Sequence, residues 1–553
     1  MPEHFQRTPA VQGDWDRRSA RRALLEPRLF DLLVIGGGVI GASVARDAAG
    51  RGLSVALVEQ NDFAGATSSK STKLIHGGIR YLPHLRFGLV RQGLREQQVL
   101  RRTADYLYSD LDFVIPLFEN RGLVDLPSWM VTGPLRSLTL RVGLSLYDRL
   151  GGRNRGERHR RLDRDDVSDL FPKLRRDALQ EGFVYRDAQT DDARLTVSLL
   201  KTAVGLHGAV AVSRMRAVDI ASRSDGLVVT VQENGEPIHV RSRSVVAATW
   251  AFPTPGADVT AGSGIRFSKG VHLVYRADDL GVGDQALVLP ETDDGRLLFI
   301  VPWRGLALLG TTDTPYDGDP GKVRPDKADF EYLERHLRRY VDCSGATPLA
   351  SFAGLRTLTD GRDSTASASR QHRILEQGPG MFTVVGGKLS SARAIASEVV
   401  DRACTYLRVD TPSRTSDAML VGGGISTDLR TRLRSGLERI GLPAAYGDHL
   451  IRRYGTESVK VLGLLEDRPG MRLLMDPTPI SPGEVVYTAL NESVTTVGDF
   501  ALRRTNMAWS CPDHGRGWAP LVAATLADEL GWSRVETAKA ISDYKDELIE
   551  QGL

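Results

Sequence analysis

The segment FDLLVIGGGVIGASVARDAAGRGLSVALVEQ, residues 30–60, constrains the fold more than any other part of the chain. An apolar run, a glycine turn, a helix-like stretch and a second apolar run predict a strand–helix–strand unit within about 30 residues. Gly36, Gly38 and Gly41 form GxGxxG: the first permits the tight turn, the second lets backbone approach a pyrophosphate, and the third lets helix and strand pack. Glu59 ends the second strand, where a carboxylate can hold ribose hydroxyls. The segment therefore predicts a dinucleotide site, without separating FAD from NAD.

Composition limits the class of protein around this unit. The chain has 553 residues, which at roughly 150 residues per domain suggests about three structural units. Hydrophobic residues at 41% and charged residues at 25% are globular averages, so disorder and a polytopic membrane protein are excluded. Cys343, Cys404 and Cys511 form no CxxC, which excludes a disulfide framework and a Cys-rich zinc site, and predicts no metal. Basic and acidic residues, 72 and 69, are intermixed, so nucleic acid is not an expected partner.

Targeting and membrane signals are sparse. Residues 1–28 form a polar, Arg-rich N-terminal extension without the apolar core of a signal peptide, and no 18-residue apolar run occurs. Together with the three widely spaced cysteines, this predicts a reducing, cytoplasmic compartment. Two basic stretches, Arg17 to Arg22 and Arg153 to Arg161, are candidates for contact with anionic lipid. Both also fit a solvated loop or chain end.

Periodicity divides the rest of the chain. A helix is predicted from about Arg86 to Arg102, and another opens at Thr190, whose hydroxyl is expected to cap it, and ends near Gly208. Short β-branched runs between residues 209 and 312 predict an antiparallel sheet. A strand at 382–387 leads into a helix predicted to begin at Lys388. After the glycine-rich linker 421–427, residues 428–553 follow a helical pattern.

A segment directly after the second strand distinguishes the cofactor. DFAGATSSKSTKLIHGGIRYL, residues 62–82, places small residues, hydroxyls and two glycines where close packing against a flat ring system requires them. Here the sequence resembles the aerobic, respiratory FAD-dependent glycerol-3-phosphate dehydrogenase family, one of the D-amino-acid-oxidase-like flavoproteins. The resemblance extends over nearly the whole chain from about residue 29. Further matching segments are YRDAQTDDARL, SKGVHLV, GTTDTPYDGDP, FAGLRTL, SRQHRI, GGKLSSAR and FALRRTNMAW.

The resemblance implies an α/β fold. We expect an FAD-binding Rossmann-like, D-amino-acid-oxidase-like domain over 29–420, with an antiparallel β substrate portion at about 209–375. An α-helical C-terminal domain over 428–553 follows, as a cap or a dimer contact, which makes a homodimer one further expectation. The cofactor residues expected in addition to Gly36, Gly38, Gly41 and Glu59 are Thr67, Ser68, Ser69, His76, Gly77, Gly78, Gly387, Lys388, Leu389 and Ser390.

The resemblance also supplies substrate residues. Arg80, Arg356 and Arg370 fall at its substrate-binding positions, and a guanidinium donates to phosphate through two parallel hydrogen bonds. Any one of them alone would be interpreted as a surface charge. Tyr81 is expected to close the pocket wall.

His272 and Lys388 are the other catalytic candidates. His272 resembles the active-site histidine and is the first choice as general base or hydrogen-bond partner of the substrate hydroxyl; a satisfied core histidine is the alternative. Lys388, with the following helix start, is expected at the flavin pyrimidine edge, where it would stabilise the negative charge of reduced flavin; an ordinary exposed lysine is the alternative. His76 is expected to pack against the flavin or to position it.

The match departs from the family pattern near the cofactor. Trp250 stands where the family has glycine after its middle strand, and Ala392 stands where tyrosine is common. Ser390 and Ser391 replace threonine, and Thr357 replaces proline. A large side chain where backbone approaches a dinucleotide is expected to force a detour.

The expected activity is oxidation of sn-glycerol 3-phosphate to dihydroxyacetone phosphate by hydride transfer from C2 to FAD. Electrons would pass to a membrane quinone, with the protein bound peripherally at the inner face of the cell membrane. Three alternatives stay open: a glycerol-3-phosphate oxidase that uses oxygen, an amine or amino-acid oxidase on the same fold, and a flavin-free binding protein.

Overall fold

A computed structural model describes residues 15–79, 82, 86–119, 135–252, 266–358 and 372–553. Within these ranges two β-sheets are flanked by helices, and a helical domain follows at the C-terminal end. The α/β class predicted from the sequence is confirmed. The two sheets divide the molecule into a nucleotide-binding part and a part that faces it.

The first sheet contains eight strands among the described residues. Its central order is β16-β17-β9-β1-β2-β6, and β7 and β8 extend it as a meander from β9. Strands β17, β9, β1, β2 and β6 run parallel, which explains the nearly continuous apolar sequence of β1 and β2. The strands are β1 (Leu29–Ile35), β2 (Val55–Val58), β6 (Val210–Val212), β7 (Arg216–Arg223), β8 (Gly226–Glu233), β9 (Glu236–Ala247), β16 (Arg373–Gly378) and β17 (Met381–Val385).

The second sheet contains nine strands in the described part of the chain and is mostly antiparallel. Its order is β14-β10-β13-β12-β11-β3-β5-β4, and β15 pairs with β10. The strands are β3 (Ser109–Phe118), β4 (Arg160–Asp163), β5 (Leu179–Gln189), β10 (Arg266–Arg276), β11 (Ala286–Leu289), β12 (Leu298–Trp303), β13 (Leu306–Gly310), β14 (Thr314–Tyr316) and β15 (Ala350–Leu358).

The sheet predicted over residues 209–312 is divided between these two sheets. Strands β6 to β9 join the first sheet, and only β10 to β13 of that range belong to the second. The second sheet also recruits β3, β4 and β5 from much earlier in the chain. Strand spacing alone carries no information on partners, because hydrogen bonding between strands is decided by tertiary contacts.

Eight helices of the described residues precede the C-terminal domain, and α2, α6 and α8 bury one apolar core against the first sheet. The helix predicted from Arg86 to Arg102 is confirmed as α3. The helices are α1 (Arg17–Leu25), α2 (Val39–Gly50), α3 (Phe87–Thr103), α4 (Leu135–Leu150), α5 (Arg164–Leu170), α6 (Asp192–His207), α7 (Lys327–Tyr340) and α8 (Ala392–Leu407).

The N-cap of α6 lies one residue after the predicted one. Its N-cap is Asp191, whose carboxylate accepts the Arg194 N–H at 3.0 Å, while the Thr190 hydroxyl is buried without a hydrogen-bond partner among the described residues. The expected cap at Thr190 was therefore wrong, because the ionised Asp191 offers the stronger acceptor at the positive end of the helix. The helix ends at Gly208, in the left-handed conformation, as predicted.

The C-terminal region is helical, as its periodicity indicates. A π-helical segment, Asp499–Arg504, lies between α12 and α13. Trp509 packs edge-on against Phe352 of β15, with ring centroids 5.2 Å apart, which joins this domain to the second sheet. The helices are α9 (Thr427–Arg439), α10 (Ala445–Tyr454), α11 (Ser458–Asp467), α12 (Pro482–Asn491), α13 (Met507–Ser510), α14 (Ala519–Leu530) and α15 (Arg534–Gln551).

The N-terminal helix α1 is attached to the first sheet. Trp15 is buried beside it and donates from Nε1 to the Ala211 carbonyl at 3.1 Å. Arg17 and Arg21 both pair with Glu233 of β8, at 2.7 and 2.6 Å. In the described ranges we find no helix with the length and apolarity needed to cross a bilayer.

Candidate active site

A cavity of about 1340 Å³ is lined by residues of both sheets and of the C-terminal domain. It extends from the glycine turn after β1 to the facing strands β10 and β15. The predicted site residues that line it are Gly36, Gly38, Glu59, Thr67, Ser68, His76, Gly78, His272, Arg356, Gly387, Lys388, Leu389 and Ser390. Residues from five distant sequence segments therefore meet at one cavity.

Three other predicted residues, Gly41, Ser69 and Gly77, belong to the described part of the chain but are not among those lining the cavity. A Cβ at Gly41 would lie 1.9 Å from the Gly36 carbonyl oxygen, so Gly41 serves the packing of α2 on the turn. Ser69 donates to the Ala66 carbonyl, and the Gly77 N–H donates to Asp187 at 2.9 Å. These three residues support the cavity wall without lining it. Arg80, Tyr81 and Arg370 lie outside the described residues.

The dinucleotide end of the cavity is formed by the turn between β1 and α2. Gly36 has φ +106°, and a Cβ there would lie 2.7 Å from the Ala248 carbonyl oxygen. Gly38 is the N-cap of α2, so the first amides of that helix face the cavity, as a pyrophosphate requires. The Ser68 hydroxyl accepts one of them, the Val39 N–H, at 2.9 Å.

Glu59 closes this turn. Its carboxylate accepts the Gly37 N–H at 2.6 Å and the Asn61 N–H at 2.8 Å. Burial raises the pKa of the Glu59 carboxyl, and the two backbone donors partly offset that shift. A carboxylate anchored in this way is placed to accept hydrogen bonds from ribose hydroxyls.

The residues present fit FAD. A Cβ at Gly36 would fill space that a pyrophosphate needs. The cavity volume exceeds the roughly 300–1,000 Å³ of common ligand pockets, which leaves room for a dinucleotide. The N-terminus of α2 faces this volume and provides hydrogen-bond donors. Gly36, Gly38, Glu59 and Ser68 would hold its nucleotide half. Lys388, Leu389 and Ser390, which also line the cavity, would contact its other half.

The register of two strands determines which side chains line the substrate end of the cavity. Strands β10 and β15 are antiparallel, with His272 opposite Phe352 and Ser268 opposite Arg356. Because alternate residues share a sheet face, His272 and Arg356 point to the same side, with Gly270 between them. A Cβ at Gly270 would lie 2.6 Å from Arg356 Nη2, so glycine makes room for the guanidinium.

Arg356 is held by backbone and hydroxyl acceptors. Its Nη1 donates to the Thr312 carbonyl at 2.9 Å, and its Nη2 donates to the Thr311 hydroxyl at 2.8 Å. Asp313 Oδ1 lies 3.6 Å from Nη1. These contacts fix the plane of the fork at the cavity wall, which is the arrangement that recognition of a phosphate or carboxylate needs.

His272 is buried and keeps a neutral imidazole. Burial lowers the pKa of His272 well below its usual 6.5, and the charges of Arg356 and Lys73 lower it further. Nε2 lies 2.9 Å from the Thr72 hydroxyl, and Nδ1 is buried without a hydrogen-bond partner among the described residues. The ring also stacks on Phe352, with centroids 4.8 Å apart. A neutral, oriented imidazole can accept a proton at ordinary pH.

Sequence reasoning missed part of the surroundings of His272. Lys73 is buried, forms an ion pair with the buried Asp192 and donates to the Ser69 carbonyl at 2.7 Å. Thr72 and Lys73 lie inside the segment that indicated the flavin, but their partners are known only from the fold. Asp187, a third missed residue, lines the cavity, and burial raises its pKa to about 6.

Two predictions near the cofactor changed in detail. Lys388 does not begin the helix: it caps a short 3-10 turn, Leu389–Ser391, and α8 starts only at Ala392. Trp250 lines the cavity with φ +59°, a backbone conformation that favours glycine and that the tryptophan nevertheless adopts. Its Nε1 donates to the Leu355 carbonyl at 3.3 Å. The indole thus bridges the first sheet to the strand that carries Arg356.

A dinucleotide-binding glycine turn that faces a second sheet carrying His272 and Arg356 is the arrangement of a flavin-dependent oxidoreductase. Comparison with known proteins supports this class. The FAD dependent oxidoreductase family profile matches residues 31–402. A second profile, the C-terminal domain of alpha-glycerophosphate oxidase, matches residues 413–537. The chain belongs to the FAD-dependent glycerol-3-phosphate dehydrogenase family, and FAD is its cofactor.

Individual relatives cover nearly the whole chain. Glycerol-3-phosphate dehydrogenase 2 of Mycobacterium tuberculosis is 33% identical over 95% of this chain and 90% of its own length. The human mitochondrial glycerol-3-phosphate dehydrogenase is 31% identical over 93% of this chain and 73% of its own length. The solved structure of the Bacillus halodurans glycerol-3-phosphate dehydrogenase complexed with FAD is 25% identical, with a TM-score of 0.77 over 97% of each chain.

Proposed function

We propose that the protein oxidises sn-glycerol 3-phosphate to dihydroxyacetone phosphate and passes the electrons to a membrane quinone at the inner face of the cell membrane. The observation that carries the proposal is the placement of His272 and Arg356 on one sheet face, across one cavity from the FAD-binding turn. An anion-binding fork and a neutral base beside a flavin are the parts that oxidation of a phosphorylated alcohol requires.

The substrate phosphate binds at Arg356. Its guanidinium is fixed by Thr311 and Thr312 before substrate arrives, so little side-chain entropy is lost on binding. The family resemblance adds Arg80 and Arg370 as further phosphate ligands and Tyr81 as the pocket wall. Phosphate held there directs the glycerol carbons towards His272.

His272 takes the proton of the C2 hydroxyl. We assign the task to Nε2, the ring nitrogen that contacts a hydroxyl group in this structure, that of Thr72 at 2.9 Å, whose place the substrate hydroxyl would take. As the O–H bond breaks towards His272, the C2–H bond breaks with its electron pair and the C2–O double bond forms. FAD supplies the hydride acceptor when it is bound. Lys388 lies at the cavity wall where it would stabilise the resulting negative charge.

Anaerobic mixing tests substrate and acceptor together. Glycerol 3-phosphate should bleach the flavin absorption band, whereas glycerol, which lacks the phosphate, and a neutral amino acid should leave it unchanged. A quinone analogue should then restore the band quickly and oxygen only slowly. Rapid peroxide formation would identify an oxidase, and bleaching by the amino acid would identify an amino-acid oxidase.

Membrane contact is supported by the surface of α4. Leu138, Val142 and Leu146 recur every fourth residue and are 57%, 60% and 36% exposed, so they form one apolar stripe on the helix. Arg141 and Arg149 of the same helix are exposed beside it. Apolar side chains with flanking arginines are suited to the interface of an anionic bilayer.

Vesicle sedimentation tests this surface. The protein should bind vesicles that contain anionic lipid, and Val142→Ser should weaken binding while catalysis with a soluble acceptor continues. Val535→Ser is the matched control, since Val535 is 79% exposed on α15 in the C-terminal domain. Equal binding by wild type and Val142→Ser would remove α4 from the proposed membrane surface.

A further inference from the structure

One end of the cofactor cavity belongs to the C-terminal domain. The chain between α12 and α13 and one side of α15 contribute to the same cavity as the glycine turn. Sequence periodicity gave these helices no role beyond packing. The contributing residues are Thr496, Gly498, Arg503, Asp543, Tyr544, Asp546, Glu547, Glu550 and Gln551.

Asp62 is one point at which this domain contacts the nucleotide-binding fold. Arg503 Nε donates to Asp62 Oδ2 at 2.5 Å, and Arg504 donates to Oδ2 at 2.8 Å and to Oδ1 at 2.9 Å. All three side chains are buried. Buried, charge-assisted and partly bidentate contacts of this kind define both distance and orientation.

Asp62 lies in the loop of residues 59–65, which packs against the glycine turn. Glu59, three residues earlier, accepts the Gly37 N–H at 2.6 Å, and the Ala64 N–H donates to the Gly37 carbonyl at 3.0 Å. Both contacts are made to the glycine turn itself. A displacement of Asp62 is therefore transmitted to Glu59 and to the peptide groups that face FAD.

A second connection reaches the same loop. The Arg214 N–H donates to the Asn61 carbonyl at 2.9 Å, and its guanidinium donates to Asp499 at 2.8 Å. Arg503 donates to the same Asp499 oxygen at 3.0 Å. The loop is thus held at two adjacent residues, Asn61 and Asp62, by arginines that contact or belong to the π-helical segment.

We propose that Arg503 and Arg504 are positioning residues for FAD: through Asp62 they hold the Glu59–Gly65 loop in its cofactor-binding form. The C-terminal domain is then a working part of the cofactor site. Coupling of this kind is reciprocal, so bound FAD must stabilise the docked position of the π-helical segment by the same free energy. The proposal concerns FAD binding alone and does not depend on which alcohol is oxidised.

Reconstitution of the apoprotein with FAD provides the test. Arg503→Gln should raise the FAD dissociation constant, measured by flavin fluorescence, by about tenfold or more. Glu547→Gln is a milder variant, because Glu547 accepts from Arg503 Nη1 at 2.8 Å at the partly exposed edge of the network. It should raise the same constant by about threefold. If Arg503→Gln does not fold, Glu547→Gln still decides the question.

The matched control is Arg439→Gln, which removes an exposed Arg439–Glu466 pair in the same domain. It should leave the FAD dissociation constant unchanged. Hydrogen exchange supplies the reciprocal readout: FAD should slow exchange in residues 499–504 of wild type and much less so in Glu547→Gln. Unchanged FAD affinity in Glu547→Gln and Arg503→Gln, with equal loss of thermal stability with and without FAD, would overturn the proposal.

Discussion

The two ends of the cavity are built in opposite ways. The cofactor end comes from consecutive elements, since β1, the glycine turn, α2 and β2 lie within residues 29–58. The substrate end comes from β10 and β15, which the chain brings together only through the register of a sheet. Local sequence therefore specifies the glycine turn of the first end, whereas the placement of His272 and Arg356 at the second end depends on pairing at long range. Substitutions at the two ends should accordingly fail in different ways.

The largest effect is expected at the cofactor end, from Gly36→Ala. The backbone has φ +106°, and the new Cβ would lie 2.7 Å from the Ala248 carbonyl oxygen, so the turn must open. We expect FAD affinity to fall by roughly 100-fold, equivalent to about 2.7 kcal/mol, and the purified protein to be nearly colourless. The ratio of flavin to protein absorbance measures this.

Gly52→Ala is the control for backbone strain. Gly52 also has a positive φ, +89°, but no atom of the described residues beyond its chain neighbours lies within 4 Å of the position a Cβ would take. It should cost about 1 kcal/mol of stability and retain FAD. Equal loss of flavin in the two variants would show that backbone strain alone, and not the shape of the turn, lowers FAD affinity, whereas normal flavin content in both would refute the role of Gly36.

At the substrate end, His272→Asn should separate chemistry from cofactor binding. Removing the base should lower kcat by about 10²–10⁴-fold, while FAD content stays normal. Single-turnover reduction of the flavin by glycerol 3-phosphate measures the step directly. His336→Asn is the matched control, because His336 is also fully buried but lies outside the cavity lining. Normal reduction by His272→Asn would refute its role as the base.

The pH profile should report the charges around His272. Its pKa lies well below 6.5 in the folded protein, so the imidazole is still neutral at pH 6.5 and the acid limb of kcat/KM should fall below that value. Arg356→Gln removes one of the two cations that lower this pKa. The acid limb of the remaining activity should therefore move to higher pH. A limb that stays in place would mean that another group controls it.

The features that the sequence predicts are also distributed unequally between local and long-range structure. The turn at Gly36, the position of Glu59 and the helical C-terminal region follow from glycine spacing and periodicity, which are local properties. The division of residues 209–312 between two sheets does not, because β6 to β9 have the same strand pattern as β10 to β13. Thr190 and Asp191 are adjacent candidates for one cap, and only the backbone geometry selects Asp191. The Asp62–Arg504 contact joins residues far apart in sequence and leaves no periodic signal.

The smallest single effects are expected where the two ends meet, at the Leu355 carbonyl. This oxygen accepts from Trp250 Nε1 at 3.3 Å and from the Thr67 hydroxyl at 3.0 Å. Trp250→Phe alone and Thr67→Val alone should each lower the free energy of unfolding by less than about 1 kcal/mol, because the Leu355 carbonyl keeps the other donor. The double variant should cost more than their sum, since an acceptor next to Arg356 loses both partners.

The thermal midpoint and the KM for glycerol 3-phosphate should be measured for wild type, both single variants and the double variant. Together these four proteins form a double-mutant cycle, which gives the interaction energy. Non-additivity would mean that the tryptophan in place of glycine fastens the substrate strand to the cofactor-binding loop. Strict additivity would mean that each end keeps its own geometry, and that the cavity is assembled from two independent halves.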